Sequence, residues 1–251
     1  MSQDSKERFT KRVDNYVKYR PGYPAEAMDC LLRECSLSQG AVVADIGAGT
    51  GKFTRGLLER GLTVYAVEPN DAMRGAMEEE LAGFGEFHAV KAAAEETGLP
   101  DRSVDAVTAA QAFHWFDQAR FKAECGRILR PGGRVALVWN RRETTPGFME
   151  GYSGIIKRLY DGYEAGSAQE HITAAVFDDF FADYKIHNFF WGEPHDFEGL
   201  WGRSLSNSHA PGPGHPQYEP LRAALRALFE EYQEDGQVVF IYKTEVVIGH
   251  V

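Results

Sequence analysis

Cysteine is scarce. Cys30, Cys35 and Cys125 are the only three in 251 residues. An odd number without paired spacing excludes a disulfide framework and offers no metal-ligand motif, so reduced thiols and no bound metal are expected. Long apolar runs are missing too, and no stretch approaches the ~20 residues that span a bilayer. The first residues, Met1-Ser-Gln-Asp-Ser-Lys-Glu-Arg, lack the apolar core of a signal peptide. Positive charge is in deficit: 27 basic residues face 37 acidic ones, a net charge of −10. A nucleic-acid substrate wants a basic face, so that class of partner is disfavoured. These absences predict a cytoplasmic protein with no membrane and no nucleic-acid partner; a monomer or homodimer is expected.

What is present suits one α/β domain with an insertion, since 43% of the residues are hydrophobic. Through the first 140 residues, β-branched runs at Val42–Ile46, Thr63–Val67, Phe87–Lys91, Val104–Ala109 and Arg134–Trp139 alternate with helical patterns. Those patterns lie at Phe53–Arg60, Asp71–Leu81 and Gln118–Leu129, after a first helix at Ala25–Cys35. Such alternation is the signature of a doubly wound parallel sheet. Pro131-Gly132-Gly133 reads as a turn delivering the chain into the fifth strand. After Arg141 the rhythm changes. Phe148–Tyr163, Phe197–Leu205 and Tyr218–Asp235 read as helices, Phe177–Phe181 as a short aromatic segment, and Ser208–Pro220 as a loop. Ile186–Trp191 and Val238–Ile248 read as strands. The expected organisation is a cofactor-binding core with an N-terminal lid segment over residues 1–140. Residues 141–251 then supply a helical cap and a C-terminal hairpin completing the same sheet.

The most informative stretch is Val42 to Thr54. An apolar run ends on Asp45, and Gly47, Gly49 and Gly51 follow at alternate positions before a helix begins. Glycines there let backbone approach a ligand where any Cβ would intrude, and their amides and the helix N-terminus offer donors to it. The dinucleotide fingerprint is the obvious rival, but its third glycine stands five positions after the first, and Gly51 stands four after Gly47. Asp45 would also repel a pyrophosphate. It suits a ligand with cationic groups and no phosphate, a description that S-adenosylmethionine fits. Glu68, seventeen positions after Gly51 at the end of the next strand, is placed to accept both hydroxyls of an adenosine ribose.

At these residues the chain resembles the class I S-adenosylmethionine-dependent methyltransferases, in the small-molecule branch that includes the trans-aconitate methyltransferases. Asp45-Ile-Gly-Ala-Gly-Thr-Gly is similar to that family's first motif and Val67-Glu68-Pro69-Asn70 to its second. Ala94-Glu95 before Gly98-Leu99-Pro100 is similar to the adenine-side segment. Gln111-Ala-Phe-His-Trp-Phe and Leu129-Arg-Pro-Gly-Gly complete the pattern over roughly residues 12 to 140. The resemblance implies a seven-stranded Rossmann-like sheet with a helical insertion after the fifth strand. It implies S-adenosylmethionine as cofactor, contacted by Tyr16, Arg20, Asp45, Gly47, Ala48, Gly49, Gly51, Phe53, Glu68, Pro69 and Met73. Ala93, Ala94, Glu95, Gln111 and Ala112 join that set. The family commonly places Asp before the alanine on the adenine side. Ala93 stands there instead, so the adenine amino group must be met by a backbone group or by Glu95.

Transfer from a sulfonium is an in-line displacement of an already activated methyl, so the protein mostly positions the acceptor and excludes water. Amino-group methyltransferases of nucleic acid or protein glutamine carry Asn/Asp-Pro-Pro-aromatic where this chain has Gln111-Ala-Phe-His-Trp, so an oxygen or carbon acceptor on a small molecule is expected. His114 is the candidate catalytic base there, against a purely structural histidine. Phe113 and Trp115 could face the sulfonium or simply pack in the core. Tyr19, Phe113, His114, Trp115 and Arg203 are the candidate substrate residues, with Arg20 and Arg203 as carboxylate clamps. O-methylation of a carboxylate, which needs no base, is the expected reaction. A hydroxyl or carbon acceptor served by His114, an NAD-dependent oxidoreductase and a catalytically silent cofactor-binding module remain alternatives.

Overall fold

The computed structural model of the protein describes residues 19–160, 172–207 and 209–251. Helix α1 (Ala25–Glu34) leads into β1 (Val42–Ile46), α2 (Lys52–Leu58), β2 (Thr63–Val67), α3 (Asp71–Leu81) and β3 (Phe87–Val90). Then come β4 (Val104–Ala110), α4 (Gln118–Ile128), β5 (Leu129–Arg142) and α5 (Phe148–Leu159). The chain closes with α6 (Ala174–Phe180), β6 (Asp183–His195), α7 (Phe197–Leu205), α8 (Tyr218–Tyr232) and β7 (Val238–His250).

The seven strands form one sheet in the order β3-β2-β1-β4-β5-β7-β6. The first five are mutually parallel, while β7 runs antiparallel to both β5 and β6. Alternate residues on each strand feed opposite cores, as a period of two requires. Val43, Val64, Ala106 and Val138 face α1, α2 and α3, where Met28, Leu57 and Met77 meet them. Ala44, Val67, Val107 and Trp139 face α4 and α6, meeting Phe121, Cys125 and Phe180. The strand order reverses between β1 and β4, and the carboxyl ends there open the crevice in which such sheets take ligands.

Three elements differ from their sequence reading for physical reasons. Pro131-Gly132-Gly133 does not precede the fifth strand but bulges inside it, because Leu129 already pairs with Val104 before Arg134 pairs with Ala106. Strand β6 is longer than Ile186–Trp191 because it pairs with β7 over its whole length, from Asp183 opposite His250 to His195 opposite Val238. Helix α8 stops at Tyr232, since Gln233 turns extended and Glu234 pairs with Gln237 across an Asp-Gly turn.

The β6–β7 ribbon runs on past the end of β5, and α7 and α8 join its two strands in place of a tight turn. With α5 they enclose a third core of Met149, Ile156, Leu200, Leu225 and Phe240. That body roofs the crevice. No helix among the described residues is long and apolar enough to cross a membrane.

Candidate active site

A cavity of about 960 Å³ lies at the carboxyl ends of β1, β2, β4 and β5, under α5 and α7. Arg20, Asp45, Gly47, Ala48, Gly49, Phe53, Glu68, Pro69 and Met73 line it. So do Ala93, Ala94, Glu95, Gln111, Ala112, Trp115 and Arg203. Gly51, Tyr19, Phe113 and His114 do not line it, and Tyr16 falls outside the described residues.

The glycine loop is built differently from the donor-rich loop expected of it. The amides of Gly47 and Ala48 both donate to the Val67 carbonyl, at 2.8 and 3.1 Å, and that of Gly51 donates to Ala48 at 2.9 Å. The Gly49 amide donates to Glu68 Oε2 at 3.0 Å. Four amides are therefore committed to the protein, and the loop shows a ligand its Cα surface rather than donors. Gly47 has φ +70°, and a Cβ there would meet Ala112 Cβ at 2.6 Å, so both geometry and space demand glycine. Gly51 serves packing, since a Cβ on it would sit 2.7 Å from Met77.

Two carboxylates lie beneath this loop. Asp45 is buried, and its oxygens accept from Thr54 Oγ1 at 2.6 Å and Thr108 Oγ1 at 2.8 Å. Burial raises its pKa to about 6; the two hydroxyl bonds pull it down, and Glu68 nearby pushes it up again. Glu68 is also buried, with Oε1 accepting from the Asn70 amide at 2.8 Å. Each of its oxygens thus accepts one backbone amide. Asn70 in turn caps α3, accepting from the Ala72 and Met73 amides.

The far wall comes from β4 and the segment after it. Gln111 holds a left-handed backbone with φ 58°, a costly conformation for a non-glycine residue, and its Nε2 donates to the Asn140 carbonyl at 3.0 Å. Glu95 ties this wall to α4 by accepting from the Asp117 amide at 2.8 Å. A short 3-10 turn over Phe113–Trp115 then sorts the aromatic residues. Phe113 is wholly buried against Phe121, Trp139 and Phe180, so it belongs to the core and not to a sulfonium face. His114 turns away from the cavity, with burial depressing its pKa to about 4. Trp115 does reach the cavity.

Sequence reading missed most of the roof side, where Lys52, Asn140, Arg142, Lys157 and Tyr242 line the cavity beside Arg203. Arg203 is not a surface arginine: it is 8% exposed, and it donates to the Tyr242 hydroxyl at 3.1 Å and Ser206 Oγ at 3.2 Å. Burial works against its charge, but the hydroxyls of Tyr242, Tyr152 and Tyr160 outweigh that and keep it protonated. The Arg142 guanidinium sits 4.8 Å over the Tyr152 ring. Among the described residues, no carboxylate lies within ion-pair distance of Arg142, Lys157 or Arg203. Asn140 joins this side to the chain's start, donating to the Gly22 carbonyl at 2.7 Å while accepting from Thr244 at 2.6 Å. Position at the end of β5 was the one signal that could have singled out Asn140 and Arg142.

The cavity therefore has an acidic, backbone-lined pole and a roof side where Arg142, Lys157 and Arg203 outnumber the one acid there, Glu150. Residues 44–137 match the family described as a methyltransferase domain. An uncharacterized methyltransferase of Mycobacterium tuberculosis H37Rv is 46% identical over 154 residues, which is 60% of this chain and 59% of that relative's length. A provisionally assigned type II methyltransferase of Anaeromyxobacter dehalogenans has a similar structure, with a TM-score of 0.66 at 24% identity. The similarity covers 92% of this chain and 98% of that one. An N-methyltransferase of Haemonchus contortus, solved with phosphomonomethylethanolamine and S-adenosylhomocysteine, shares the fold at a TM-score of 0.50 and 17% identity. It is matched over 90% of this chain and 52% of its own. The fold is thus the seven-stranded Rossmann-like methyltransferase fold, with a helical insertion after the fifth strand. Residues 44–137 match a methyltransferase domain, the relatives carry the methyltransferase name over about three fifths of their length, and the solved structures share the fold.

Proposed function

We propose that the protein transfers the methyl group of S-adenosylmethionine to an anionic small molecule, with a carboxylate oxygen as the nucleophile. The observation that carries this reading is the buried guanidinium of Arg203, which with Arg142 lines the cavity and, among the described residues, has no carboxylate within ion-pair distance. A buried charge with no counter-ion is costly, and in a chain of net charge −10 an acid from solution is the natural complement. No nucleic-acid partner is proposed, because a chain of net charge −10 lacks the basic excess that a phosphate backbone calls for.

The opposite pole fits the donor. Glu68 offers two acceptors for a ribose diol, Gly47 and Gly49 leave room for close approach, and Asp45 adds negative charge beneath a cationic ligand. A dinucleotide fits badly, because a pyrophosphate would meet two carboxylates and a loop whose amides are already committed. When bound, S-adenosylmethionine supplies a methyl group made electrophilic by its sulfonium. The chain's own residues do the rest by holding the acceptor. Arg203 and Arg142 anchor it, Gln111 and Trp115 form the wall it rests on, and the roof excludes water. No group has to take a proton, because a carboxylic acid is ionised above pH ~5.

Calorimetric titration with S-adenosylhomocysteine and with NAD tests the donor half, and the reading requires binding of the first and none of the second. Methyl transfer to a panel of small carboxylic acids, alcohols and RNA tests the acceptor half. Preference for the acids, with an apparent KM raised about tenfold or more in Arg142→Ala, is expected. Preference for alcohols or RNA would overturn it.

A further inference from the structure

Away from the cavity, α1 and β6 bring together three side chains that the proposed reaction does not use. The sulfur of Cys30, a carboxylate oxygen of Glu34 and a ring nitrogen of His187 all lie within 4.8 Å of one another. Cys30 and Glu34 stand one helical turn apart and so share a face of α1. His187 shares a side of β6 with Phe189, which packs into the core that α1 covers. Cys30 is buried, and Nε2 of His187 is buried with no hydrogen-bond partner among the described residues. Burying a polar nitrogen without a partner is unfavourable, and a ligand at that nitrogen would remove the penalty.

We infer that Cys30, Glu34 and His187 form a binding site for a divalent metal ion, zinc foremost, that fastens α1 to β6. The donor set is a thiolate, a carboxylate and a neutral imidazole, which suits zinc in kind and leaves a fourth position for water. Cys30 would give its proton to solvent, and the thiolate and carboxylate together then neutralise the ion. Metal–ligand bonds of about 2.0–2.3 Å need these atoms to close up slightly, and the half-buried Glu34 side chain at the end of α1 can supply that movement. Lys185 now holds Glu34 at 3.2 Å, but its side chain is 70% exposed and can swing into water. Arg33, 3.8 Å from Glu34 and equally exposed, can do the same. Helix α1 directly follows Arg20, Pro21 and Tyr23 at the edge of the cavity, so an ion here would set where that edge sits.

The test uses the full chain, treated with EDTA and then titrated with Co²⁺ and Zn²⁺. The parent should take up one equivalent of Co²⁺ with a near-ultraviolet thiolate charge-transfer band, which Zn²⁺ abolishes. Cys30→Ser should lose the band, while Cys35→Ser should keep it. In competition with a chromophoric chelator, His187→Gln should bind Zn²⁺ at least tenfold more weakly. If Cys30→Ser fails to fold, the half-exposed His187→Gln decides alone. Absence of the band in the parent, its survival in Cys30→Ser, or unchanged Zn²⁺ affinity in His187→Gln would overturn the site.

Discussion

At the scale of single residues, Glu68 and His114 separate binding from chemistry. Glu68 holds the Gly49 amide and the Asn70 amide while facing the cavity. Its replacement by Gln keeps the volume but removes the charge from the bonds to a ribose. S-adenosylhomocysteine should then bind about 10- to 100-fold more weakly, the equivalent of ~1.5–3 kcal/mol, as measured by calorimetry. Parent-like affinity would show that the ribose lies elsewhere. His114 is off the cavity wall and neutral above pH 4 or so. Methyl transfer by His114→Asn should therefore stay within a few-fold of the parent, and the parent's rate should be flat from pH ~6 to 8. A rate that climbs with pH and disappears in the variant would restore His114 as a base. The carboxylates at strand ends were legible in the sequence because a strand, a loop and an acid are neighbours in the chain. Lys157 and Tyr242 were not, because only the roof's folding brings them to the cavity and no local pattern marks them.

At the scale of elements, α4 is tied to the loop before β4 through Glu124. That carboxylate accepts from the Thr97 amide at 2.8 Å, the Thr97 hydroxyl at 2.5 Å and Arg127 at 2.7 Å. Burial pushes its pKa up, but the bonds from Arg127 and Thr97 prevail and hold it at about 2. A carboxyl with a lowered folded pKa gives stability that is complete above the ordinary value near 4.5 and is lost as pH falls toward 2. Glu124→Gln should lower stability at pH 7 by about 1.5–3 kcal/mol and flatten the acid limb between pH 2 and 4.5, as read from urea midpoints. An acid limb unchanged in the variant would count against this. Element positions in the parallel half were largely readable, since buried strands and amphipathic helices carry their own periodicity. The ends were less so. The bulge at Pro131-Gly132-Gly133 and the full length of β6 depend on partner strands, which the local sequence does not contain.

At the scale of the whole molecule, two buried groups give opposed pH terms. Asp45 keeps its proton to about 6 in the fold but loses it near 3.8 when unfolded, so its contribution to stability falls as pH rises through that window. His114, held at about 4 against an ordinary 6.5, gives the reverse: its contribution rises over nearly the same range. The two should largely offset. Replacing His114 with Gln removes one side, so the variant should gain stability relative to the parent as pH drops from 6.5 to 4. Urea midpoints at three pH values check this, and a parent–variant gap independent of pH would refute it. One contact joins two residues far apart in the chain. A Cβ on Gly202, in α7, would fall within the ring of Tyr19, so Tyr19 rests on the roof with nothing between them. The neighbours of both residues, Arg20 and Arg203, line the cavity, so parting Tyr19 from α7 would loosen that edge of it. Gly202→Ala would wedge it ajar, and S-adenosylhomocysteine should leave faster although no group that touches it has changed.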